Sequence, residues 1–247
     1  MQLFFAPDIE SDICTLSEEE SNHCIRVLRL SAGSEVHLTD GNGTLCRCTI
    51  LDAHPKHCSL QVIERLPGYG AHRFHLHLAV APTKNPARME WLVEKAVEMG
   101  IDEITPLLCY HSERCVLKRE RLEKIAVSAM KQSLKAYKPI LHAPTPFRDL
   151  INKITQQPSS NPTNSQFSIF NFQFFIAYCD GDHRTPLHDA YLPGHDALIL
   201  IGPEGDFSPA EVQSALAAGF LPVTLGQYRL RTETAALAAT ALLNLMN

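Results

Sequence analysis

The chain has 247 residues, 45% of them hydrophobic, with 22 Lys and Arg against 27 Asp and Glu for a net charge of −5. This is enough for one large or two ordinary domains with a real core, and the total charge gives no general affinity for polyanions. No apolar run approaches the ~18 residues of a membrane span, and the N-terminus MQLFFAPDIE lacks the basic segment and long apolar run of a signal peptide. The eight Cys then read as thiols of a reducing compartment, and the expected location is cytoplasmic. The charge is uneven: residues 1–70 sum to −5, whereas residues 114–138 hold 8 Lys and Arg against 2 Asp and Glu. A local basic patch of that kind can bind phosphates.

Gln2 to Ala6 reads as a strand. Ser17-Glu18-Glu19-Glu20 is a capping box for a helix reaching about Leu28. Glu35 to Thr39 and Thr44 to Leu51 flank the turn Asp40-Gly41-Asn42-Gly43, and Ser59 to Leu66 is a further strand. Residues 1–70 therefore read as a small β-barrel with one helix, ended by the linker Pro67-Gly68-Tyr69-Gly70. From Phe74 strands alternate with helices, the pattern of an α/β domain with a parallel sheet over residues 71–247. FHLHLAVAP is a strand. Asn85-Pro86 caps a helix that runs to Gly100, with Met89, Leu92, Val93, Ala96 and Val97 on one face. Ile101 to Leu108 is a strand, and Lys118 to Lys135 a long basic helix. Residues 151–170 read as an exposed loop, and Phe172 to Tyr178 as a strand.

The most informative stretch comes last. Ala197 to Ile201 is a short apolar strand that meets Gly202-Pro203-Glu204-Gly205 at once. Ser208-Pro209-Ala210-Glu211 is a capping box with Pro at the first helical position, and Gly219 stops that helix. A second strand, Pro222 to Leu225, ends in Gly226, and Gln227 to Arg231 leads into an Ala- and Leu-rich helix from Thr232. Two strands thus end in glycine loops at one edge of the sheet, where open α/β sheets bind ligands. By spacing alone, GPEG reads equally as a tight strand–helix turn. Arg231-Thr232-Glu233-Thr234 reads as a cap with surface charge, or as a dense polar cluster at the ligand edge. The basic helix is either a solvated face or an anion-binding one. Cys46-x-Cys48 with His54, His57 and Cys58, and His75-x-His77, lack paired metal-binding spacings, so no metal site is expected.

GPEGDFSPAE, LGQYRLRTETA, HCIRVLRLSAGSEVHLTDGNG and TKNPARMEWLVEKAVEMGIDEITPLLCYHSERC resemble the ribosomal RNA small subunit methyltransferase E family, of the SPOUT class, over almost the whole chain apart from 151–170. The resemblance implies a PUA-like barrel followed by an α/β domain with a C-terminal trefoil knot, a homodimer, and S-adenosylmethionine as cofactor. The implied reaction is methylation of uracil N3 in small-subunit rRNA, free or within the assembled subunit. Two departures stand out: Asp206 where the family has a second Gly, and Lys135 in place of Arg.

The expected cofactor-binding residues are Leu200, Ile201, Gly202, Pro203, Gly205, Leu225, Gly226, Leu230 and Thr232; the backbone of Ile201, Gly202, Leu225, Gly226 and Leu230 can ring an adenine without side-chain bulk. Loss of the N3 proton leaves negative charge on two carbonyl oxygens. Arg231, which stays protonated, can stabilise that charge, and Glu204 or Glu233 can accept the proton if burial raises its pKa. Arg26 and Arg29, three apart on one helix, are expected to meet RNA together with Lys84, Arg88, Arg114 and Lys135. Two other readings are a knotted enzyme modifying another RNA position, such as a ribose 2′-OH, and a non-catalytic RNA-binding or ribosome-assembly protein. The intact LRTETA and both glycine loops argue against the second.

Overall fold

The computed structural model describes residues 1–9, 11–156, 172–179 and 184–247. They form two compact units, Met1–His72 with Val127–Lys138, and Arg73–Ala126 with Pro139–Asn247.

The first unit is built on a five-stranded sheet. Its strands are β1 (Leu3–Phe5), β2 (Ile13–Thr15), β3 (Glu35–Thr39), β4 (Leu45–Asp52) and β5 (Ser59–Leu66), in the order β1-β3-β4-β5-β2. β1 runs parallel to β3 and the other pairs are antiparallel. Alternation on β4 turns Cys46 and Cys48 into a core with Phe4, Val36, Leu38 and Ile50, while Arg47 faces outward to Glu35 and Glu64 at 3.4 and 3.2 Å. Burial pushes the Cys48 thiol up to about 12, so both cysteines behave as small apolar side chains.

The helix of this unit departs from its expected course. α1 covers only Glu18–Asn22, capped by Ser17, and continues as a π-turn over His23–Val27 in which the Leu28 amide donates to the His23 carbonyl five residues back. Arg29 lies beyond it at φ 55, so Arg26 and Arg29 do not share a helical face; the wider turn and the left-handed residue break the three-residue spacing. The segment 127–138 completes the unit. Ala136 is buried with Leu3 and Leu45, its carbonyl accepts from Thr39 Oγ1 and Gly43 N, and Lys138 N donates to the Gly41 carbonyl.

The second unit holds an eight-stranded sheet in which every pairing is parallel. Its strands are β6 (Leu76–Val80), β7 (Glu103–Leu108), β8 (Ile140–Leu141), β9 (Thr145–Pro146), β10 (Phe172–Ala177), β11 (Thr185–Pro186), β12 (Asp196–Ile201) and β13 (Leu221–Thr224). The order is β11-β13-β10-β12-β6-β7-β8, with β9 also on β7. Between them run α2 (Pro86–Glu98), α3 (Arg119–Gln132), α4 (Phe147–Gln156), α5 (Leu187–Ala190), α6 (Pro209–Ala217) and α7 (Thr232–Leu245). β6, β10 and β12 sit in the middle of the order. β6 and β12 have the near-continuous burial of strands covered on both faces, whereas β10 is fully buried only at Phe175 and Ile176. The face of α2 expected to be apolar, Met89, Leu92, Val93, Ala96 and Val97, is buried, and Asn85 Oδ1 caps the helix by accepting from Ala87 N at 3.0 Å. α7 packs on α2, β6 and β12 although β13, which precedes it, lies beyond β10. The chain must therefore step back past β10 and β12 between residues 225 and 231.

Two further expectations change. Residues 151–156 belong to α4, whose Phe147, Leu150 and Ile151 are buried; residues 157–170 of the expected loop lie outside the described residues. α3 begins in the second unit and ends in the first, and it stops at Gln132, with Leu134 at φ 58. Lys135 therefore stands after the helix rather than on it.

Candidate functional site

A cavity of about 580 Å³ opens at the C-terminal ends of β10, β12 and β13. Its size lies within the range usual for small-molecule sites. Of the expected cofactor residues, Ile201, Gly202, Pro203, Leu225, Gly226, Leu230 and Thr232 line it, and so do Glu204 and Arg231. Leu200 does not: it is fully buried, facing the core among Ala79, Leu198 and Phe220. Gly205 does not either. A Cβ there would stand 3.0 Å from His111 Cβ, so the glycine makes room for that histidine. Gly202 has a similar packing role, since a Cβ would come within 3.1 Å of the Phe207 ring. Gly226 differs, at φ 133 with open space where a side chain would point.

Local sequence explains how the loops hold their shape. Ser208 Oγ accepts from Glu211 N at 3.3 Å while Glu211 Oε2 accepts from Ser208 N at 2.8 Å, the reciprocal pair read from the sequence. Asp206 takes a left-handed conformation, φ 63, which Asp tolerates better than most residues. Its carboxylate accepts from Phe207 N and from Cys179 N, both at 2.8 Å, and so ties the GPEG loop to the end of β10. The departure at Asp206 thus supplies acceptors that a Gly lacks. Arg231 is the N-cap of α7, and Thr232, 5% exposed, donates its hydroxyl hydrogen to the Gly202 carbonyl at 3.0 Å. The last helix is anchored to the first glycine loop by that bond.

The two candidate carboxylates separate. Glu204 is exposed on the lining, and its Oε1 accepts from Lys84 N at 3.1 Å. Glu233 is 6% exposed, lies off the cavity, and stands 3.5 Å from Arg88 Nε. Arg88, expected on an RNA surface, is thus drawn to a buried carboxylate. Lys84 pairs with Glu113 at 2.7 Å, and Arg114 Nε donates to the Lys84 carbonyl at 3.1 Å. In the other unit Arg26 and Arg29 are exposed and Lys135 is half-buried. The basic helix is partly neutralised: Arg119 meets Glu123 at 2.9 Å, Arg121 meets Glu90 at 2.6 Å, and Lys131 pairs with Glu20.

The sequence reading missed the third wall. Ala177, Tyr178 and Cys179 at the end of β10, Arg184, and Tyr228 also line the cavity. Arg184 Nη1 donates to the Tyr178 carbonyl at 2.7 Å. Their signal was the apolar strand at 172–178, whose C-terminal end belongs to the same ligand edge.

A family model described as an RNA methyltransferase domain matches residues 71–244, and one described as an RNA methyltransferase PUA domain matches residues 16–63. The crystal structure of a probable rRNA-methyltransferase from Porphyromonas gingivalis is 44% identical, covers 100% of this chain and 98% of its own, and superposes with a TM-score of 0.87. A ribosomal RNA small subunit methyltransferase E from Neisseria gonorrhoeae, solved bound to S-adenosyl methionine, is 26% identical with a TM-score of 0.80, covering 98% of this chain and 95% of its own. The protein of that name from Synechocystis is 28% identical over 254 residues, 98% of this chain and 77% of the relative. With the catalytic-domain match spanning most of the chain and these relatives alike from end to end, the chain belongs to the RNA methyltransferase family, in the group of the ribosomal RNA small subunit methyltransferases E.

Proposed function

We propose that this protein methylates N3 of a uridine in small-subunit ribosomal RNA, with S-adenosylmethionine as donor. The observation that carries the reading is the cavity. Residues of two glycine loops, with Ile201, Leu225, Leu230 and the guanidinium-bearing Arg231, line a space of about 580 Å³. Such a lining suits a purine ribonucleoside, with apolar walls for the flat ring and main-chain groups for its edges. The donor found in the neisserial relative has that shape.

Ile201 to Pro203, Leu225, Gly226 and Leu230 would hold the donor. When bound, S-adenosylmethionine supplies an electrophilic methyl group on a sulfonium. The protein's part is to align the acceptor and make N3 nucleophilic. Arg231 stabilises the negative charge that spreads to the flanking carbonyl oxygens as the N3 proton leaves. Glu204, the carboxylate on the lining, accepts that proton; Glu233, buried beside Arg88, ties the first turn of α7 to α2. A paired uridine would have to be turned out of its helix to reach the cavity. Lys84 and Arg114 beside the cavity loop, with Arg26, Arg29 and Lys135 in the N-terminal unit, are assigned to RNA, and the working protein is a homodimer.

The test is transfer of labelled methyl groups to small subunits and to naked rRNA from cells lacking the modification, followed by nucleoside mapping. 3-Methyluridine is the expected product. A ribose-methylated nucleoside would replace the N3 assignment, and donor binding without transfer would make the protein a binding module.

A further inference from the structure

At the N-terminal end of the same sheet, away from the cavity, four titratable side chains share one face. His77 of β6 is the register partner of Glu103 of β7, and His75 stands two residues before it. His142 extends β8, its amide donating to the Ile104 carbonyl at 2.9 Å. Glu103 and His77 are 2% and 3% exposed. Around the Glu103 carboxylate lie His142 Nε2 at 2.5 Å, His75 Nε2 at 2.8 Å and His77 Nδ1 at 3.9 Å. One ligand atom each from His77, Glu103 and His142 falls within 4.8 Å of the others.

We propose that His77, Glu103 and His142 form a binding site for a divalent transition metal of the zinc type. Two imidazoles and one carboxylate are a known zinc donor set, and such a set leaves a fourth position for water or for His75. The 3.9 Å between His77 Nδ1 and Glu103 Oε2 is a span that metal bonds of about 2.1 Å bridge with a small side-chain adjustment. A second sphere is present as well. His77 Nε2 is 2.8 Å from Thr105 Oγ1, which fixes the ring and turns Nδ1 toward the carboxylate. On binding, the metal takes the place of the hydrogen between His142 Nε2 and Glu103, which moves to Nδ1 of the ring or to solvent. The site would clamp the segment after α3 to the sheet, with no part in methyl transfer.

The test uses Zn²⁺ and Co²⁺ alone with the full chain. Calorimetry should find about one tight Zn²⁺ per chain, lost in His142→Ala and weakened about tenfold in Thr105→Val. The double variant of the stacked surface pair, His54→Ala with His57→Ala, should keep it. Co²⁺ added to the unaltered chain should give visible bands of a four-coordinate nitrogen and oxygen site, a readout independent of whether any variant folds. Absence of tight binding, binding untouched by His142→Ala, a thiolate charge-transfer band, or loss in the surface double variant would each overturn the site and leave Glu103 as the centre of a purely hydrogen-bonded cluster. None of these results bears on the methyltransferase reading, which is measured by product.

Discussion

Glu204 and Glu103 belong to opposite ends of one parallel sheet, and the sheet treats the two carboxylates differently. At the C-terminal end the strands release their loops around a cavity, and Glu204 is exposed on its lining. At the N-terminal end Glu103 is 2% exposed and enclosed by histidines. The difference follows from what surrounds a strand end. A loop that turns out to solvent leaves side chains free to change partners during a reaction. A strand start between two neighbours fixes every partner, and a charge there requires compensation.

The largest effect should come from the buried end. Glu103→Ala strips the shared partner from the histidines and should cost about 3–5 kcal/mol in denaturant unfolding. A loss below about 1 kcal/mol would mean that the cluster is no more than surface-like. At the other end the effect should be kinetic. Arg231→Ala should lower the methyl-transfer rate about 10²- to 10³-fold, while stability shifts by less than about 0.5 kcal/mol. Full activity in a folded variant would remove Arg231 from the chemistry. Asp206 tests how far the loop needs its tie to β10. Asp206→Ala loses two charged acceptors and keeps the left-handed backbone, so about 2 kcal/mol should be lost. Asp206→Gly should recover about 1 kcal/mol of that by relieving the backbone. Lys84→Ala, which breaks only a solvent-exposed pair, should leave stability unchanged in denaturant unfolding. If Lys84 meets a phosphate, the salt dependence of RNA binding should fall by about 0.7–0.9 in slope.

The sequence was most legible where structure is local. The Asn85 and Ser208 caps, the buried face of α2 and the two glycine loops need only neighbours within a few residues, and all are found where the spacing puts them. The cavity's third wall was within reach of the same rule, because β10 ends at the same edge. What stayed hidden depends on partners far away in the chain. Glu233 reads as a ligand-edge carboxylate until Arg88, on another helix, is seen beside it. His75-x-His77 reads as two isolated histidines until Glu103 and His142, from β7 and just after β8, are seen beside them. Arg29 illustrates a different failure: one π-turn shifts everything after it off the expected face.

The return of residues 127–138 to the N-terminal unit sets an order of assembly during synthesis. Until Ala136 has left the ribosome, Gly41, Gly43 and Thr39 lack their partners, and Leu3 and Leu45 lack their cover. The first unit therefore cannot close as soon as its five strands have emerged. It must wait until residues 73–126 of its neighbour have been made, and a fragment cut at the linker after Leu66 would keep every strand of the sheet yet lack the piece that seals it.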